Sequence, residues 1–204
     1  MHRFKEDDND IIKEINQRII LNLQNSGLIK KTDSVLDFGC GTGIWQEKII
    51  KNEIFFNQLY LYDMYEENRK ICREKYDGYT ILDNLKEINV DVIFINSVIQ
   101  YIEKKELEEL FVDFYSKLNK DGSIIISDIP LHSRVVEFCL NFFKDYKIFK
   151  LQAKHATNLS YQKTNFYRHT LQDIDIISKN YFEISKFRNI DVNPSRFSIV
   201  LNKI

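Results

Sequence analysis

The sequence predicts an α/β fold built on a doubly wound, mostly parallel sheet, and three observations support that prediction. Short apolar runs alternate along the chain with amphipathic segments, as strands and their crossover helices do. The run Val90–Ile95 is almost continuously apolar, which is typical of a parallel strand covered on both faces. A glycine-rich turn follows the first apolar run. Together these features indicate an open sheet with helices on both faces.

The first apolar run ends in a stretch where an acid precedes three alternating glycines. Val35–Gly43 reads VLDFGCGTG, and Asp37 lies near the carboxyl end of the predicted strand. Glycines in such a turn allow the backbone to approach a ligand closely. Ile44–Ile50 then has apolar residues at helical spacing, so the turn opens a helix. A strand, a glycine-rich turn and a helix N-terminus are together typical of a nucleotide-type site.

The spacing of the glycines argues against a nicotinamide dinucleotide as the ligand. The dinucleotide fingerprint needs a third glycine three residues after the second. With Gly39 and Gly41 as the first two, that position holds Ile44. A nicotinamide oxidoreductase is therefore disfavoured.

The later predicted strands also end at polar residues, on the edge where open α/β sheets bind their ligands. A strand over Asn57–Tyr62 ends at Asp63, twenty residues after Gly43, about the spacing at which an acid reaches a ribose. Three further strands are predicted with polar ends: Tyr79–Leu82 ending at Asp83 and Asn84, Val90–Ile95 ending at Asn96 and Ser97, and Ser123–Ser127 ending at Asp128. Helices are predicted over Glu66–Tyr76, Glu103–Leu118, Leu131–Phe143 and from the capping box at Thr170 to about Asn180, and a turn over Asn119–Gly122. The chain closes with an antiparallel pair over Tyr181–Ile190 and Arg196–Leu201.

Length and composition favour a single domain over residues 1–204. The chain is 44% hydrophobic, enough to bury a full core. An apolar stripe within residues 1–30 predicts a helix that covers the sheet. Residues 144–168 lack periodicity and are dense in aromatic, lysine and histidine side chains, so we expect a substrate-side insertion there.

Charge and cysteine usage narrow the class of partner. The net charge of −1 provides no basic field for nucleic acid or an anionic membrane, so we expect a small-molecule substrate. Cys40, Cys72 and Cys139 are widely spaced and odd in number, which indicates free thiols in a reducing cytoplasm and predicts no metal site. The charged N-terminus does not resemble a signal peptide, and no apolar run has the length of a membrane span.

The order of these motifs resembles class I S-adenosylmethionine-dependent methyltransferases of the small-molecule type. VLDFGCGTG matches the first motif of that family almost letter for letter, and DVIFINSVIQYI and LNKDGSIIISD stand where the family has its fourth and fifth strands. The resemblance extends over nearly the whole chain. It implies a Rossmann-like, seven-stranded sheet whose last strand is antiparallel, and S-adenosylmethionine as the cofactor.

The resemblance also implies a role for each polar strand end. It assigns the methionine part of the cofactor to Asp37 and the loop residues Gly39, Cys40, Gly41 and Gly43. It assigns both ribose hydroxyls to Asp63 and the adenine to Met64, Asp83 and Asn84. Asn96 and Ser97 would form the floor under the sulfonium.

The acceptor is expected to be a small molecule methylated on oxygen. Methylases of nucleic-acid amino groups often carry an Asn-Pro-Pro-aromatic motif after the fourth strand, where this chain has NSVI. His132 follows the fifth strand and is the candidate general base for a hydroxyl acceptor. Tyr101, His155, Tyr167 and Arg168 are candidates to line the acceptor pocket. The alternatives are a cofactor-binding protein without turnover, an N-directed methyltransferase and a protein methyltransferase.

Overall fold

The computed structural model describes residues 21–23, 25–43, 56–130, 167–188 and 196–204. Its elements, in chain order, are β1 (Ser34–Phe38), β2 (Gln58–Tyr62), α1 (Glu66–Lys75), β3 (Thr80–Ile81), β4 (Val90–Asn96), a 3₁₀ turn (Ile99–Tyr101), α2 (Lys104–Lys117), β5 (Leu118–Pro130), α3 (Leu171–Ser178), β6 (Phe182–Arg188) and β7 (Arg196–Lys203).

The strands form one seven-stranded sheet in the order β3-β2-β1-β4-β5-β7-β6. Neighbouring strands from β3 to β5 pair in parallel, whereas β7 is antiparallel to both β5 and β6. The order of the strands reverses between β1 and β4, because the chain runs outwards from β1 in one direction and from β4 in the other. Open α/β sheets bind their ligands outside the carboxyl ends of the strands at such a switch point.

The sheet is buried on both faces because its central strands are apolar at nearly every position. On one face, Leu36 of β1 and Ile93 of β4 pack with the apolar stripes of α2 and α3. On the other face, Val35 and Phe94 pack with Cys72 of α1 and Tyr76 just after it. Successive residues of a strand point to opposite faces, so each neighbouring pair serves two cores. The predicted doubly wound fold is therefore confirmed.

Most of the described elements agree with the prediction to within one or two residues, and β5 is the main difference. The strand runs from Leu118 to Pro130 rather than over Ser123–Ser127. Its pairing with β4 shifts register across Asn119–Gly122, where Asp121 has a φ of 65°. The predicted turn is thus an irregularity within β5, because the strand pairs with β4 both before and after Asn119–Gly122.

Several predicted features fall outside the described residues. These are the stripe up to residue 20, the helices over Ile44–Ile50 and Leu131–Phe143, nearly all of the 144–168 segment and the connection between the last two strands. Among the helices that the structure describes, none combines the length and apolarity needed to cross a bilayer.

Asp91 ties three strands together at the amino-terminal edge of the sheet. Its carboxylate accepts the backbone N–H of Ser34 at 2.8 Å, the Ser34 hydroxyl at 2.7 Å and the Asn119 amide at 2.8 Å. The Ser34 Oγ in turn accepts the Asp91 backbone N–H at 3.1 Å. The hydrogen bonds from Asn119 and Ser34 lower the pKa of Asp91 below its ordinary value.

Asp91→Asn is expected to reduce the free energy of unfolding by about 1–3 kcal/mol at pH 7, because it removes a charge that accepts several hydrogen bonds. A lowered folded-state pKa gives stability that is present above the ordinary carboxyl pKa and lost as pH falls through the folded value. In urea unfolding measured from pH 7 down to about pH 2, the difference in the free energy of unfolding between this variant and the parent should therefore become smaller.

The matched control is Asp77→Asn at an exposed turn. If the stability loss of Asp91→Asn does not change with pH, or if Asp77→Asn causes an equal loss, the stabilising role of the Asp91 carboxylate is contradicted.

Candidate cofactor site

The glycine loop docks on the end of the neighbouring strand β2. The backbone N–H groups of Gly39 and Cys40 both donate to the carbonyl oxygen of Tyr62, at 2.7 and 3.0 Å. Gly39, Gly41 and Gly43 all have positive φ, at 80°, 56° and 78°. This left-handed backbone favours glycine, so the alternation of glycines follows from the course of the loop.

Two of these glycines also lack room for a side chain. A Cβ on Gly39 would overlap the Val98 side chain, which follows β4, and a Cβ on Gly43 would overlap the Tyr76 ring. The Tyr76 hydroxyl donates to the Gly43 carbonyl. Around Gly41, by contrast, a Cβ would meet no atom of the described residues within 4 Å. Within that part of the chain, the loop is therefore closely packed at both ends and open at its middle.

Asp63 connects the middle of this loop to the start of α1. It is 7% exposed, and its Oδ2 accepts the Gly41 N–H at 3.0 Å. Its Oδ1 accepts the Tyr65 N–H and the Asn68 amide, each at 2.9 Å. A carboxylate has about four acceptor positions, so these three hydrogen bonds leave about one on Oδ2.

Two exposed apolar side chains stand next to Asp63. Met64 is 72% exposed and Tyr65 is 61% exposed. Large apolar groups at this exposure beside a polar cleft are suited to cover a ligand. Arg69 fixes the backbone there, because its guanidinium donates to the Asp63 carbonyl at 2.6 Å.

The third strand end is occupied by an ion-pair network. Asp83 lies next to β3 and its side chain is 70% exposed. Its Oδ1 bonds to Arg73 and lies 3.7 Å from Nε of Arg69, and both arginines also bond to Glu66. Asn84 is exposed, and its side chain accepts the Lys86 N–H at 3.0 Å. The network connects Asp83 to Arg69, the residue that donates to the Asp63 carbonyl.

The ends of β4 and β5 are joined by two side-chain hydrogen bonds. Ser127 donates its hydroxyl to Oδ1 of Asn96 at 2.7 Å, and Ser97 donates to Oδ2 of Asp128. Ser97 and Asp128 both have left-handed backbone, with φ values of 58° and 60°. A register shift in the β5–β7 pairing includes Asp128, and Nε of Arg196 on β7 lies 3.5 Å from its Oδ1. Bulges and left-handed non-glycine residues concentrate at functional sites, where they aim side chains.

The turn after Ser97 brings together residues that the sequence predicts for the acceptor pocket. Gln100 is 3% exposed, and its amide donates to the Ser97 carbonyl at 2.8 Å. The other side-chain atom of Gln100, Oε1, is buried and has no hydrogen-bond partner within the described part of the chain. The Gln100 carbonyl accepts the Tyr167 N–H at 2.8 Å, so Tyr167 and Arg168 lie beside Tyr101, which is 46% exposed. Residues far apart in sequence thus share this edge.

The structure therefore places most of the predicted site residues at one edge of the sheet. Asp37 is buried at 6% exposure within β1, and Cys40 is at 9%. His132 and His155 lie outside the described residues. His169 is in the core, where its Nε2 lies 3.0 Å from the carbonyl of Ile99 and 2.9 Å from that of Ile102. Within the described ranges, no group of three or more His, Cys, Asp or Glu could hold a metal ion.

Sequence reasoning did not assign Asp128, Arg196 or Asn68 to the site. Asp128 was visible only as the end of a strand, since neither its left-handed backbone nor its pairing with a residue 68 positions away leaves a local pattern. Asn68 had a usable signal. It lies five residues after Asp63, where the first turn of a helix can return to the strand end.

A switch-point crevice with a glycine loop and an acid after β2 defines a nucleotide-type cofactor site on an α/β sheet. A family model described as a methyltransferase domain matches residues 9–174. The chain belongs to that family, as a class I S-adenosylmethionine-dependent methyltransferase. S-adenosylmethionine is the cofactor of this class.

Individual relatives agree with this assignment. A malonyl-[acyl-carrier protein] O-methyltransferase of Calditerrivibrio nitroreducens is 30% identical over 142 residues, which cover 61% of this chain and 55% of that relative. This chain thus corresponds to little more than half the length of the curated relative. Magnesium protoporphyrin IX methyltransferase from Synechocystis PCC 6803, solved with bound S-adenosylmethionine, shares the fold with a TM-score of 0.59 at 14% identity, over 94% of this chain and 78% of its own.

The pyocyanin biosynthetic protein PhzM is similar with a TM-score of 0.64 at 13% identity. The match covers 94% of this chain and 55% of that one. At these identities the two solved structures establish the shared fold.

The residues present fit S-adenosylmethionine. Three features follow one another along one edge of the sheet, namely the open space at Gly41, the acceptor position left on Asp63 and the exposed Met64. These features match an amino-acid moiety, a ribose and an adenine in the same order. Oε1 of Gln100, for which the described residues provide no partner, offers a further acceptor near the ends of β4 and β5.

Gly39→Ala is expected to destabilise the fold by about 1–3 kcal/mol through overlap with Val98, in addition to about 1–2 kcal/mol for left-handed backbone. Gly41→Ala should show only the backbone cost, because its surroundings are open. A double-mutant cycle of Gly39→Ala with Val98→Ala, measured by urea unfolding, should recover the overlap part. Equal losses at Gly39 and Gly41 with no recovery would show that the loop does not contact Val98.

Proposed function

We propose that this protein transfers the methyl group of S-adenosylmethionine to an oxygen atom of a small-molecule acceptor. The observation that carries the proposal is the hydrogen bond from Gly41 to Asp63, which joins the glycine loop and the ribose-type acid at the switch point. Family membership supports the cofactor. The printed activity of the curated relative, an O-methyltransferase, supports oxygen as the target.

We assign the methionine part of the cofactor to the open middle of the loop. Gly41 offers space, and Asp37 supplies a buried carboxylate suited to an ammonium group. Gly39, Cys40 and Gly43 form the remainder of the turn. Asn96 and Ser97 follow β4 and would form the floor under the sulfonium.

Asp63 would hold the ribose. Its Oδ2 has about one position left, so one hydroxyl can bind without any change. Binding of both hydroxyls requires one present donor to leave, and the Asn68 amide is the donor on a side chain rather than the backbone. Met64 would pack on the adenine. Asp83 would accept from the adenine amino group through Oδ2, since Oδ1 is bonded to Arg73.

The bound cofactor supplies an activated methyl group that leaves a sulfonium by in-line displacement. Much of the rate enhancement then comes from holding donor and acceptor in near-attack geometry. Fixed groups at the ends of β4 and β5 suit that task, since the Ser97–Asp128 hydrogen bond joins the two strand ends. Tyr101, His155, Tyr167 and Arg168 are the proposed acceptor-side residues.

A hydroxyl acceptor must lose a proton, and two groups are candidates to receive it. His132 follows β5 by two residues and has the side chain whose ordinary pKa lies nearest neutrality. Asp128 lies on the described edge with its side chain 26% exposed, oriented by Ser97 and Arg196. We propose His132 as the base, with Asp128, which lies on the described edge, as the alternative.

Asp63→Asn is expected to weaken S-adenosylmethionine binding about 10- to 100-fold, the effect of losing a hydrogen bond to a charged group worth about 1.5–3 kcal/mol. Calorimetry measures the affinity, with Asp77→Asn as the control and urea unfolding as the check on folding. NAD should not bind. Tighter binding of NAD than of S-adenosylmethionine would overturn the proposed function.

Acceptor class is tested by labelled methyl transfer to metabolites with free hydroxyls, to malonyl thioesters, to amines and to peptides. We expect transfer to oxygen in a small molecule. Transfer to a peptide or to nitrogen would identify the alternative enzymes, and cofactor binding without transfer to any acceptor would identify a binding protein.

With the acceptor from that screen, His132→Ala should reduce kcat about 100-fold or more at neutral pH, the usual contribution of a general base. Its affinity for S-adenosylmethionine should stay unchanged. Asp128→Asn is the matched variant. If His132→Ala turns over near the parent rate while Asp128→Asn does not, the base is Asp128.

A further inference from the structure

Two thiols that the proposed chemistry does not use lie close together, one in the glycine loop and one on the neighbouring helix α1. Sγ of Cys40 in the loop and Sγ of Cys72 on α1 are 4.0 Å apart. Both residues are buried, at 9% and 0% exposure. The Cys72 thiol also donates to the Gly41 carbonyl at 3.4 Å. The pair therefore links α1 to the glycine next to the ribose acid.

We propose that Cys40 and Cys72 form a reversible disulfide site that closes the cofactor site when hydrogen peroxide oxidises it. The sulfurs must approach from 4.0 Å to about 2.0 Å to bond. This approach requires the loop backbone to rearrange, because Cys40 lies between two glycines with left-handed backbone and its N–H donates to the Tyr62 carbonyl.

The oxidation balances with peroxide as the sole co-reactant. One thiol reduces hydrogen peroxide to water and becomes a sulfenic acid. The second thiol attacks the sulfenic sulfur, forms the S–S bond and releases a second water. Two thiols and one peroxide thus give one disulfide and two waters, and a dithiol reductant reverses the change.

The two thiols are not equivalent as nucleophiles. The hydrogen bond from Cys40 lowers the pKa of the Cys72 thiol below its ordinary value. The pKa of Cys40 is raised, because that same bond retains its proton, and burial and the nearby Asp37 add to the effect. The thiolate is the reactive form, so the lowered pKa favours Cys72 as the thiol that is oxidised first.

The disulfide would act on the cofactor site through Gly41. The new bond removes the Cys72 hydrogen bond to the Gly41 carbonyl and pulls on the residue before Gly41. The Gly41 N–H is the donor to Oδ2 of Asp63, the atom proposed to bind ribose. Oxidation should therefore displace the loop backbone to which we assign the methionine part and so lower cofactor affinity, a consequence that rests on the proposed function.

The test treats the full chain with hydrogen peroxide and applies two independent readouts. Mass mapping of non-reduced peptides should find Cys40 linked to Cys72. Calorimetry with S-adenosylhomocysteine should show affinity lower by about tenfold or more, the effect of losing one hydrogen bond from the loop to the charged amino-acid part of the ligand, and dithiothreitol should restore it. Cys139→Ser should behave as the parent does.

Cys72→Ser keeps a donor for the Gly41 carbonyl and should make binding insensitive to peroxide, with Cys72→Ala as a second variant should the first fail to fold. Absence of the linked peptide from folded, peroxide-treated protein would refute the site. A linked peptide with unchanged affinity would refute the effect on the cofactor. If the reduced protein binds no S-adenosylhomocysteine, the proposed function fails, while the linked peptide still decides whether the disulfide forms.

Discussion

The Asp63 carboxylate is the group on which the geometry of the site depends. It accepts a hydrogen bond from the glycine loop, one from the backbone at the start of α1 and one from the Asn68 side chain. A buried carboxylate is costly unless such donors surround it. Because the donors come from two different segments, the charge fixes the loop and the helix relative to β2. We propose that the same charge also binds a ligand hydroxyl, so that one group would serve both folding and binding.

The topology of the sheet explains why this group stands where it does. Parallel pairing brings the carboxyl ends of β1, β2 and β4 to one edge, and the switch between β1 and β4 leaves a crevice above them. Val98, after β4, packs against Gly39, after β1, so the floor of the crevice is closed by direct contact. Ser97 and Asp128 extend the same edge towards β5. The proposed donor and acceptor sites are thereby neighbours on one continuous edge.

Sequence patterns predicted the parts of the molecule that rest on local rules. The alternation of apolar runs predicted the strands, the Thr170 capping box predicted the start of α3, and Asp63 after the second apolar run predicted the end of β2. Those rules depend on residues a few positions apart, or on a single crossover connection. The acceptor side follows no such rule, because Arg196 meets Asp128 only through the pairing of β5 with β7. Likewise, nothing near Asp83 in sequence indicates that Arg73 occupies one of its oxygens.

A structure with bound S-adenosylhomocysteine would test the proposed role of Asp63. We expect a ribose hydroxyl within hydrogen-bond distance of Oδ2 of Asp63, the adenine against Met64 and the amino-acid part over Gly41. The sulfur should then face the edge formed by Ser97 and Asp128. A ligand bound away from the glycine loop, or one that makes no contact with Asp63, would show that this carboxylate does not bind the cofactor.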